Sequence, residues 1–251
     1  MPVLARPSSP RWCPCLYSTR RRPFAFYADA LRNGRSTGEK LRAPVPARFL
    51  TLLGSLPADT PRRALDLGYG AGAYTIALAE AGFTVVAVDQ APAEPLLQRL
   101  SEYEDLAERV TVVESLIEQY AVQEDFGTLV AKDVLHYLSQ HDAEALLTRA
   151  VQSSRSVNLH YLEVFTEIFR TDAHGVQIHI EGEARYTRES FSRALERIYE
   201  GWDVTVSWDD HTEQDTRSRR TYFKAARATV IAAHSCPAPV GTAAMSGRET
   251  A

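Results

Sequence analysis

The most informative stretch of the chain is residues 63–90, RALDLGYGAGAYTIALAEAGFTVVAVDQ. Its first apolar run, Ala64 to Leu67, has the length and composition of a buried strand. Apolar residues between Tyr74 and Ala81 recur at helical spacing, and Phe83 to Val88 forms a second apolar run. The stretch therefore predicts a strand, a glycine-rich turn, a helix and a second strand, which is one α/β unit.

Three glycines at alternate positions, Gly68, Gly70 and Gly72, make up the turn of this unit. Glycine allows a backbone to turn sharply and to pass close to a ligand. Asp89, with Gln90 beside it, ends the second strand about twenty residues later, where a carboxylate accepts hydrogen bonds from a ribose diol. The spacing predicts a cofactor that contains adenosine.

Two cofactors fit this spacing. Gly68, Gly70 and Ala73 match the relaxed dinucleotide pattern, so an NAD-dependent oxidoreductase is one alternative. Asp66 lies two residues before the first glycine, where its charge would repel a pyrophosphate and attract an ammonium or sulfonium group. Gly72 completes the pattern G-x-G-x-G. These two features favour S-adenosylmethionine.

Length and composition restrict the class of protein. A chain of 251 residues is long enough for one α/β domain with a full core. The net charge of −4 gives no electrostatic indication of nucleic acid binding. No apolar run approaches the roughly 18 residues that span a bilayer. We therefore expect a cytoplasmic protein with a small-molecule partner and no nucleic acid or membrane partner, and a homodimer is left open.

The two ends of the chain differ in composition from its centre. Residues 1–24 are rich in Pro, Arg and Ser, which is typical either of a transit peptide or of a disordered extension, the reading we favour. Residues 234–251 are mostly small and polar and predict a disordered tail. The folded domain is expected over 25–233. Cys13, Cys15 and Cys236 lie near the two ends and do not make a zinc site, which needs four ligands.

Between these ends, strand and helix patterns alternate. The predicted strands are Ala64–Leu67, Phe83–Val88, Val110–Val113, Gly127–Ala131, Val157–Phe165, Asp203–Trp208 and Tyr222–Ala232. The predicted helices are Phe24–Leu31, Pro46–Leu56, Tyr74–Ala81, Pro95–Leu106, His141–Val151 and Thr187–Tyr199. This order predicts a doubly wound, Rossmann-like α/β fold with a mainly parallel seven-stranded sheet. The last two strands, joined by DDHTEQDTRSRR, predict a C-terminal antiparallel hairpin.

Ligands of such sheets bind beyond the carboxyl ends of the strands. The side chains that follow the third, fourth and fifth strands include Ser115, Leu116, Asp133, His136, Tyr137 and Glu163. Ser115 and Leu116 could contact an adenine, and Asp133 could contact the cofactor or cap a turn. His136 titrates near neutral pH and is a candidate general base, although a histidine in such a helical turn is often simply packed.

Several segments resemble the tellurite-resistance branch of the class I methyltransferases, to which thiopurine-methylating enzymes are related. They are LDLGYGAGAYTIALAEAGFTVVAVDQAP, KDVLHYL, YEGWDV and KAARATVIA, within about residues 48–232. The resemblance implies cofactor contacts at Asp66, Gly68, Gly70, Gly72, Asp89, Ser115, Leu116 and Asp133. It also implies that a histidine and arginines of the last hairpin connection act on the substrate, and this connection holds His211, Arg217, Arg219 and Arg220.

The sequence departs from this branch at two places. Tyr69 replaces a small residue between the first two glycines, and SSRSVNL before the fifth strand lacks the usual Lys-Pro-Gly-Gly turn. The acceptor of the methyl group is therefore left open among natural products, peptides, chalcogens and thiols.

Methyl transfer needs proximity and orientation, and it needs a base only when the acceptor atom carries a proton. His136 and His211 are the predicted catalytic residues, and His160 and His179 are further candidate bases. Predicted substrate contacts are Tyr137, His179, Arg219 and Arg220. Instead of contacting the substrate, the last hairpin connection could be a solvated loop. Instead of an enzyme, the whole chain could be a non-catalytic partner protein that binds adenosylmethionine.

Overall fold

The computed structural model describes residues 44–103, 105–122, 125–154, 158–171, 174–214 and 221–234. The predicted helix Phe24–Leu31, the three cysteines and both predicted tails lie outside these residues, apart from His234. Arg217, Arg219 and Arg220 lie outside them as well.

One sheet forms the centre of the molecule. Its strands are β1 (Arg63–Leu67), β2 (Thr84–Asp89), β3 (Val110–Glu114), β4 (Thr128–Lys132), β5 (Asn158–Thr171), β6 (Gln177–Ile178), β7 (Asp203–Gln214) and β8 (Thr221–His234). The order is β3-β2-β1-β4-β5-β8-β7, and β6 pairs with β5 beside this path. Strands β1 to β5 run parallel, whereas β8 is antiparallel to both β5 and β7. The predicted doubly wound sheet and its C-terminal hairpin are confirmed.

The helices are α1 (Ala47–Gly54), α2 (Ala73–Glu80), α3 (Glu94–Leu100), α4 (Gln140–Ser153) and α5 (Arg188–Ile198). Short 3₁₀ turns cover Ala107–Arg109, Ile117–Gln119 and Leu135–Tyr137. α5 begins where predicted, because Thr187 and Ser190 exchange hydrogen bonds in a capping box. The prediction of a helix over Pro95–Leu106 was wrong in length, since α3 ends at Leu100 and turns follow it.

Two apolar layers cover the two faces of the sheet. On one face Phe49 of α1 packs against Tyr74 of α2 and Tyr161 of β5. On the other face α4 and α5 bury apolar residues such as Leu146 and Phe191 against β1, β4, β5 and β8. Because both faces are covered, the open edge at the carboxyl ends of the parallel strands is the place where a ligand can reach the sheet.

The hairpin is longer than the sequence predicted. β7 was expected over Asp203–Trp208, but it continues to Gln214, because β8 goes on pairing with it: His211 lies opposite Ala225 and Glu213 opposite Phe223. His211 therefore lies in a strand, and its assignment to the connecting loop was wrong. Polar residues hid the strand from sequence reasoning, since an outer strand can turn such side chains to water.

Candidate active site

The turn between β1 and α2 uses glycine at three left-handed positions. The φ angles are 75° at Gly68, 50° at Gly70 and 78° at Gly72, a region that other residues seldom adopt. A Cβ at Gly68 would lie 2.6 Å from Cγ2 of Val134, and one at Gly72 would overlap the Leu96 side chain. Both the backbone conformation and the packing against neighbouring side chains therefore require glycine at Gly68 and Gly72. These two reasons hold whether or not a ligand also comes close to the turn.

Tyr69, the unusual residue of this turn, points into the protein. Its ring is buried together with Ile76 and Leu96, and its hydroxyl donates to the carbonyl of Ala91 at 3.0 Å. The side chain thus ties the glycine turn to the segment after β2. Sequence reasoning recorded Tyr69 only as a departure from a motif, and no pattern in the sequence pointed to this contact.

Asp89 faces the glycine turn from the end of β2. The N–H of Gly70 donates to its Oδ2 at 3.0 Å, and the N–H of Ala91 donates to its Oδ1 at 2.9 Å. Burial raises the pKa of Asp89, and these backbone hydrogen bonds oppose the increase. A carboxylate has about four acceptor positions. The N–H groups of Gly70, Ala91 and Gln90 use three of them, so Asp89 can still accept from one further donor.

Asp66 is buried at the end of β1, before the first glycine. The hydroxyl of Thr75 on α2 donates to its Oδ2 at 2.5 Å. Burial raises the pKa of Asp66 to about 7; the Thr75 hydrogen bond opposes this increase and the charge of Asp89 adds to it. A cation bound nearby would favour the ionised carboxylate, because opposite charges attract strongly where water is excluded.

The other predicted cofactor residues lie at the ends of β2, β3 and β4. Gln90 is exposed, Leu116 is half-buried, and the N–H of Ser115 donates to the carbonyl of Asp89 at 2.9 Å. Asp133 has a φ of 51°, and its Oδ2 pairs with Nζ of Lys132 at 2.6 Å.

The second carboxylate oxygen of Asp133 is the best indication of a ligand in this region. Oδ1 of Asp133 is buried, and it has no hydrogen-bond partner among the described residues. A buried acceptor without a donor is costly, so a bound donor group would stabilise it. Together with the remaining acceptor position of Asp89 and the buried acid Asp66, this edge suits a cofactor that carries hydroxyl donors and a cationic group.

His136 and Tyr137 follow Asp133 in a 3₁₀ turn. His136 is buried, its ring centre lies 5.1 Å from that of Phe165, and its Nδ1 has no partner among the described residues. Burial, aided by the charges of Arg170 and Lys132, lowers the pKa of His136 well below its usual value. The ring is therefore neutral at physiological pH. Tyr137 is 38 % exposed at the edge of the sheet.

His211 lies near His136 although the two are far apart in sequence. Its ring centre is 5.0 Å from that of Phe165, so both histidines contact the same phenylalanine. Nε2 of His211 lies 3.1 Å from Oε1 of Glu213, and Phe223 contacts both His211 and Phe165. A carboxylate at Nε2 keeps the proton on that nitrogen, so Nδ1 has the free lone pair.

The other predicted bases and substrate contacts lie elsewhere. His179 is exposed on the surface after β6. His160 is buried near the start of β5, where Nδ1 is 3.0 Å from the Tyr199 hydroxyl and Nε2 is 3.3 Å from Oγ of Ser154. At that end of the strand it cannot face a ligand at the carboxyl edge. Arg219 and Arg220 lie outside the described residues.

Glu163, a strand-end residue in the sequence, has partners that no pattern predicted. The hydroxyls of Tyr161 and Tyr74 donate to its Oε1 at 2.8 Å and 3.2 Å. Its Oε2 lies 3.7 Å from Nη1 of Arg227 on β8. The network thus connects α2, which follows the glycine turn, with β5 and β8.

Two further properties concern metals and membranes. Within the described part of the chain, no group of three or more His, Cys, Asp or Glu side chains could hold a metal ion. No helix in that part is long and apolar enough to cross a bilayer.

Comparison with known families identifies this region. A family model described as "Methyltransferase domain" matches residues 64–156, which include β1, the glycine turn, Asp89, Asp133 and His136. This part of the chain is similar to a methyltransferase domain. The match ends just after α4, so the hairpin that carries His211 lies beyond it.

Solved structures share the fold of this chain. One is 1,6-didemethyltoxoflavin-N1-methyltransferase from Burkholderia thailandensis, with bound 1,6-didemethyltoxoflavin and S-adenosylhomocysteine. It is 19% identical over 90% of this chain and 93% of that chain, with a TM-score of 0.55. An O-methyltransferase family protein from the same organism is 13% identical over 87% of this chain and 61% of that one, with a TM-score of 0.50.

A third similar structure is the [4+2]-cyclase SpnF, which is 12% identical over 86% of this chain and 97% of that chain, with a TM-score of 0.56. No curated protein matches the chain. At these identities the likeness establishes the fold of the chain alone, and the reaction has to be argued from the site.

Proposed function

We propose that the methyltransferase domain transfers a methyl group from S-adenosylmethionine to a small-molecule acceptor. The observation that carries this proposal is the pair of buried acids, Asp66 and Asp89, on either side of three left-handed glycines. The negative charge of Asp66 would repel a pyrophosphate, whereas it would attract a cationic amino acid group. The match of residues 64–156 to a methyltransferase domain supports the same reading.

The residues that would hold the cofactor follow from their free acceptor positions. Asp89 would accept a hydrogen bond from a ribose hydroxyl, and Asp66 would face a cationic group. Asp133, through its unpartnered Oδ1, would accept from a donor of the cofactor. The remaining contacts are expected at Gly68, Gly70, Gly72, Gln90, Ser115 and Leu116. When bound, S-adenosylmethionine supplies an electrophilic methyl group on a sulfonium that leaves as a neutral thioether.

His211 is the better candidate for a general base. Glu213 orients its ring, and the ring is partly exposed, so an acceptor can reach the free Nδ1. His136 is buried and its pKa is lowered, which makes it a weak base. We propose that His136 lines the acceptor site beside Phe165, with Tyr137 at its exposed rim. His179, Arg219 and Arg220 keep their proposed substrate roles on the sequence alone.

The finer parts of the assignment rest on the sequence. The tellurite-resistance and thiopurine branch is supported by the motifs around Asp66, by KDVLHYL and by the final hairpin, and we keep it as a proposal. The cytoplasmic location stays a proposal that rests on the composition of the sequence. The homodimer stays an open prediction.

A second candidate is a protein that binds the cofactor without transferring the methyl group. The fold is shared with a structure named as a [4+2]-cyclase, so the architecture alone does not impose methyl transfer. Release of adenosylhomocysteine during incubation with an acceptor distinguishes the two candidates, because only the transferase produces it.

Calorimetry with three ligands tests the cofactor assignment. S-adenosylmethionine and S-adenosylhomocysteine should bind the purified full chain, and NADH should not. Binding of NADH together with no response to adenosylhomocysteine would refute the assignment and restore the oxidoreductase alternative.

A further inference from the structure

The carboxylate of Glu163 is held at a defined orientation beside the proposed cofactor site. Two tyrosine hydroxyls bind the same oxygen, Oε1, which fixes the plane of the carboxylate and leaves Oε2 on the opposite side. The backbone carbonyl of Glu163 also accepts from the N–H of Asp133 at 2.8 Å. Glu163 therefore lies at the carboxyl edge of the sheet, next to Asp133.

Arg227 faces this free oxygen without forming a good hydrogen bond to it. Its Nη1 lies 3.7 Å from Oε2 of Glu163, which is beyond hydrogen-bond distance. The Nε of Arg227 is buried, and among the described residues it has no acceptor. In the sheet, Arg227 is paired with Phe165 on β5 and with Asp209 on β7.

The two side chains thus present an acceptor beside a donor. Oε2 of Glu163 can accept another hydrogen bond, and Nε–H of Arg227 needs an acceptor. Buried charged groups are costly unless their hydrogen bonds are made, so these two positions are expected to be filled by a ligand or by water. The complementary chemical group is an N–H beside a C=O, as in the edge of a cyclic amide.

We propose that Glu163 and Arg227 recognise the cyclic-amide edge of the acceptor, its N–H donating to Oε2 of Glu163 and its C=O accepting from Nε of Arg227. The proposal rests on the proposed function, since it names the acceptor class of the same enzyme. Phe165, across the sheet from Arg227 and in contact with His211 and Phe223, places aromatic rings beside this edge. The substrate class is therefore a planar ring compound that carries a lactam.

Three probes test the two hydrogen bonds in the wild-type protein, with S-adenosylhomocysteine present to fill the cofactor site. Isocarbostyril has both the N–H and the C=O, N-methylisocarbostyril lacks the N–H, and indole keeps an N–H but lacks the C=O. Isocarbostyril should bind about tenfold more tightly than either relative, because each lost partner leaves a buried group unpaired. Equal affinity for the three probes would overturn the proposal and would mean that water fills the two positions.

Two variants test the residues separately. In Glu163→Gln the tyrosine hydroxyls keep the amide oxygen on their side, so an NH₂ replaces Oε2 and the acceptor becomes a donor. The preference for isocarbostyril over its N-methyl relative should disappear. In Arg227→Lys the charge remains while the Nε–H is lost, and the preference over indole should disappear.

The control is Arg197→Lys, which changes an exposed arginine on α5 paired with Glu144. It should keep both preferences. Affinity for adenosylhomocysteine and the melting temperature are measured in every variant. Preferences that survive in Glu163→Gln or Arg227→Lys would refute the subsite, whereas a wild-type chain that fails to bind adenosylhomocysteine would refute the proposed function instead.

Discussion

The main-chain N–H of Gly70 donates to Oδ2 of Asp89 at 3.0 Å, so the turn after β1 and the end of β2 are joined by one buried hydrogen bond. Asp89 is therefore both the proposed ribose acceptor and a support for the glycine turn. A substitution that removes the charge or an acceptor oxygen of Asp89 should therefore change both the conformation of the turn and the affinity for the cofactor.

Asp89→Asn should weaken adenosylhomocysteine binding by about 1–3 kcal/mol, because one carboxylate oxygen becomes an NH₂ that cannot accept from Gly70 or Ala91. Calorimetry measures the affinity. Glu108→Gln, at an exposed acid before β3, serves as the control and should bind as the wild type does. An unchanged affinity in Asp89→Asn would mean that this end of β2 does not face the cofactor.

Gly72→Ala should be more destabilising than Gly82→Ala. Both glycines have left-handed φ angles, 78° and 87°, so alanine introduces backbone strain of about 1–2 kcal/mol at either position. Only at Gly72 would the new Cβ also collide with Leu96, whereas the space around Gly82 is open. Denaturant unfolding of the two variants measures the difference. Equal losses would show that Leu96 moves aside without cost.

The burial of Asp66 predicts a pH dependence of stability. Its pKa is about 7 in the folded chain against 3.8 for the unperturbed group, so the folded state binds the proton more tightly. The stability contribution of this group is complete below pH 3.8 and is lost as the pH rises to about 7.

Asp66→Asn removes this titration and keeps an acceptor for Thr75. The unfolding free energy of the wild type should therefore fall relative to that of Asp66→Asn as the pH rises from about 4 to 7, by about 4 kcal/mol at most. Asp59→Asn, at an exposed acid, is the matched control and should follow the wild type. Parallel curves for wild type and Asp66→Asn would contradict a raised pKa.

His211→Gln should lower the rate of methyl transfer to a protonated acceptor by about a hundredfold or more, because the base is lost. Glu213→Gln should cause a smaller loss, since it removes only the orienting carboxylate. The production of adenosylhomocysteine with 4-hydroxyisocarbostyril, whose hydroxyl group carries the proton to be removed, gives the rate, and binding of adenosylhomocysteine should stay unchanged. His141→Gln, at an exposed histidine in the first turn of α4, serves as the surface control. Full activity in His211→Gln would leave His136 as the remaining predicted base.

The sequence predicted the features that depend on local pattern. Apolar runs and glycine spacing gave β1, β2 and the turn between them, and Thr187 gave the start of α5. The continuation of β7 to Gln214 was missed, because its polar residues pair with β8 and long-range pairing is not visible in local composition. The contact of His136 and His211 through Phe165 was missed for the same reason.

The contacts of Tyr69 and Glu163 depend on three-dimensional packing in another way. Each acts through a partner distant in sequence: Ala91 for Tyr69, and Tyr74 and Arg227 for Glu163. The sequence shows that Tyr69 lies between two glycines and that Glu163 lies at a strand end. It does not predict which residue each of them contacts.

The hydrogen bond from Tyr74 to Glu163 has a consequence for the order of events during turnover. Tyr74 belongs to the helix that begins at the glycine turn, and Glu163 belongs to the proposed acceptor subsite, so each ligand meets one end of the same contact. A displacement of Glu163 by an acceptor would move Tyr74, and a displacement of α2 by the cofactor would move Glu163. By thermodynamic reciprocity, the acceptor and the cofactor change each other's affinity by the same factor. Through this contact the two binding equilibria become interdependent, and saturation with one ligand sets the apparent affinity for the other.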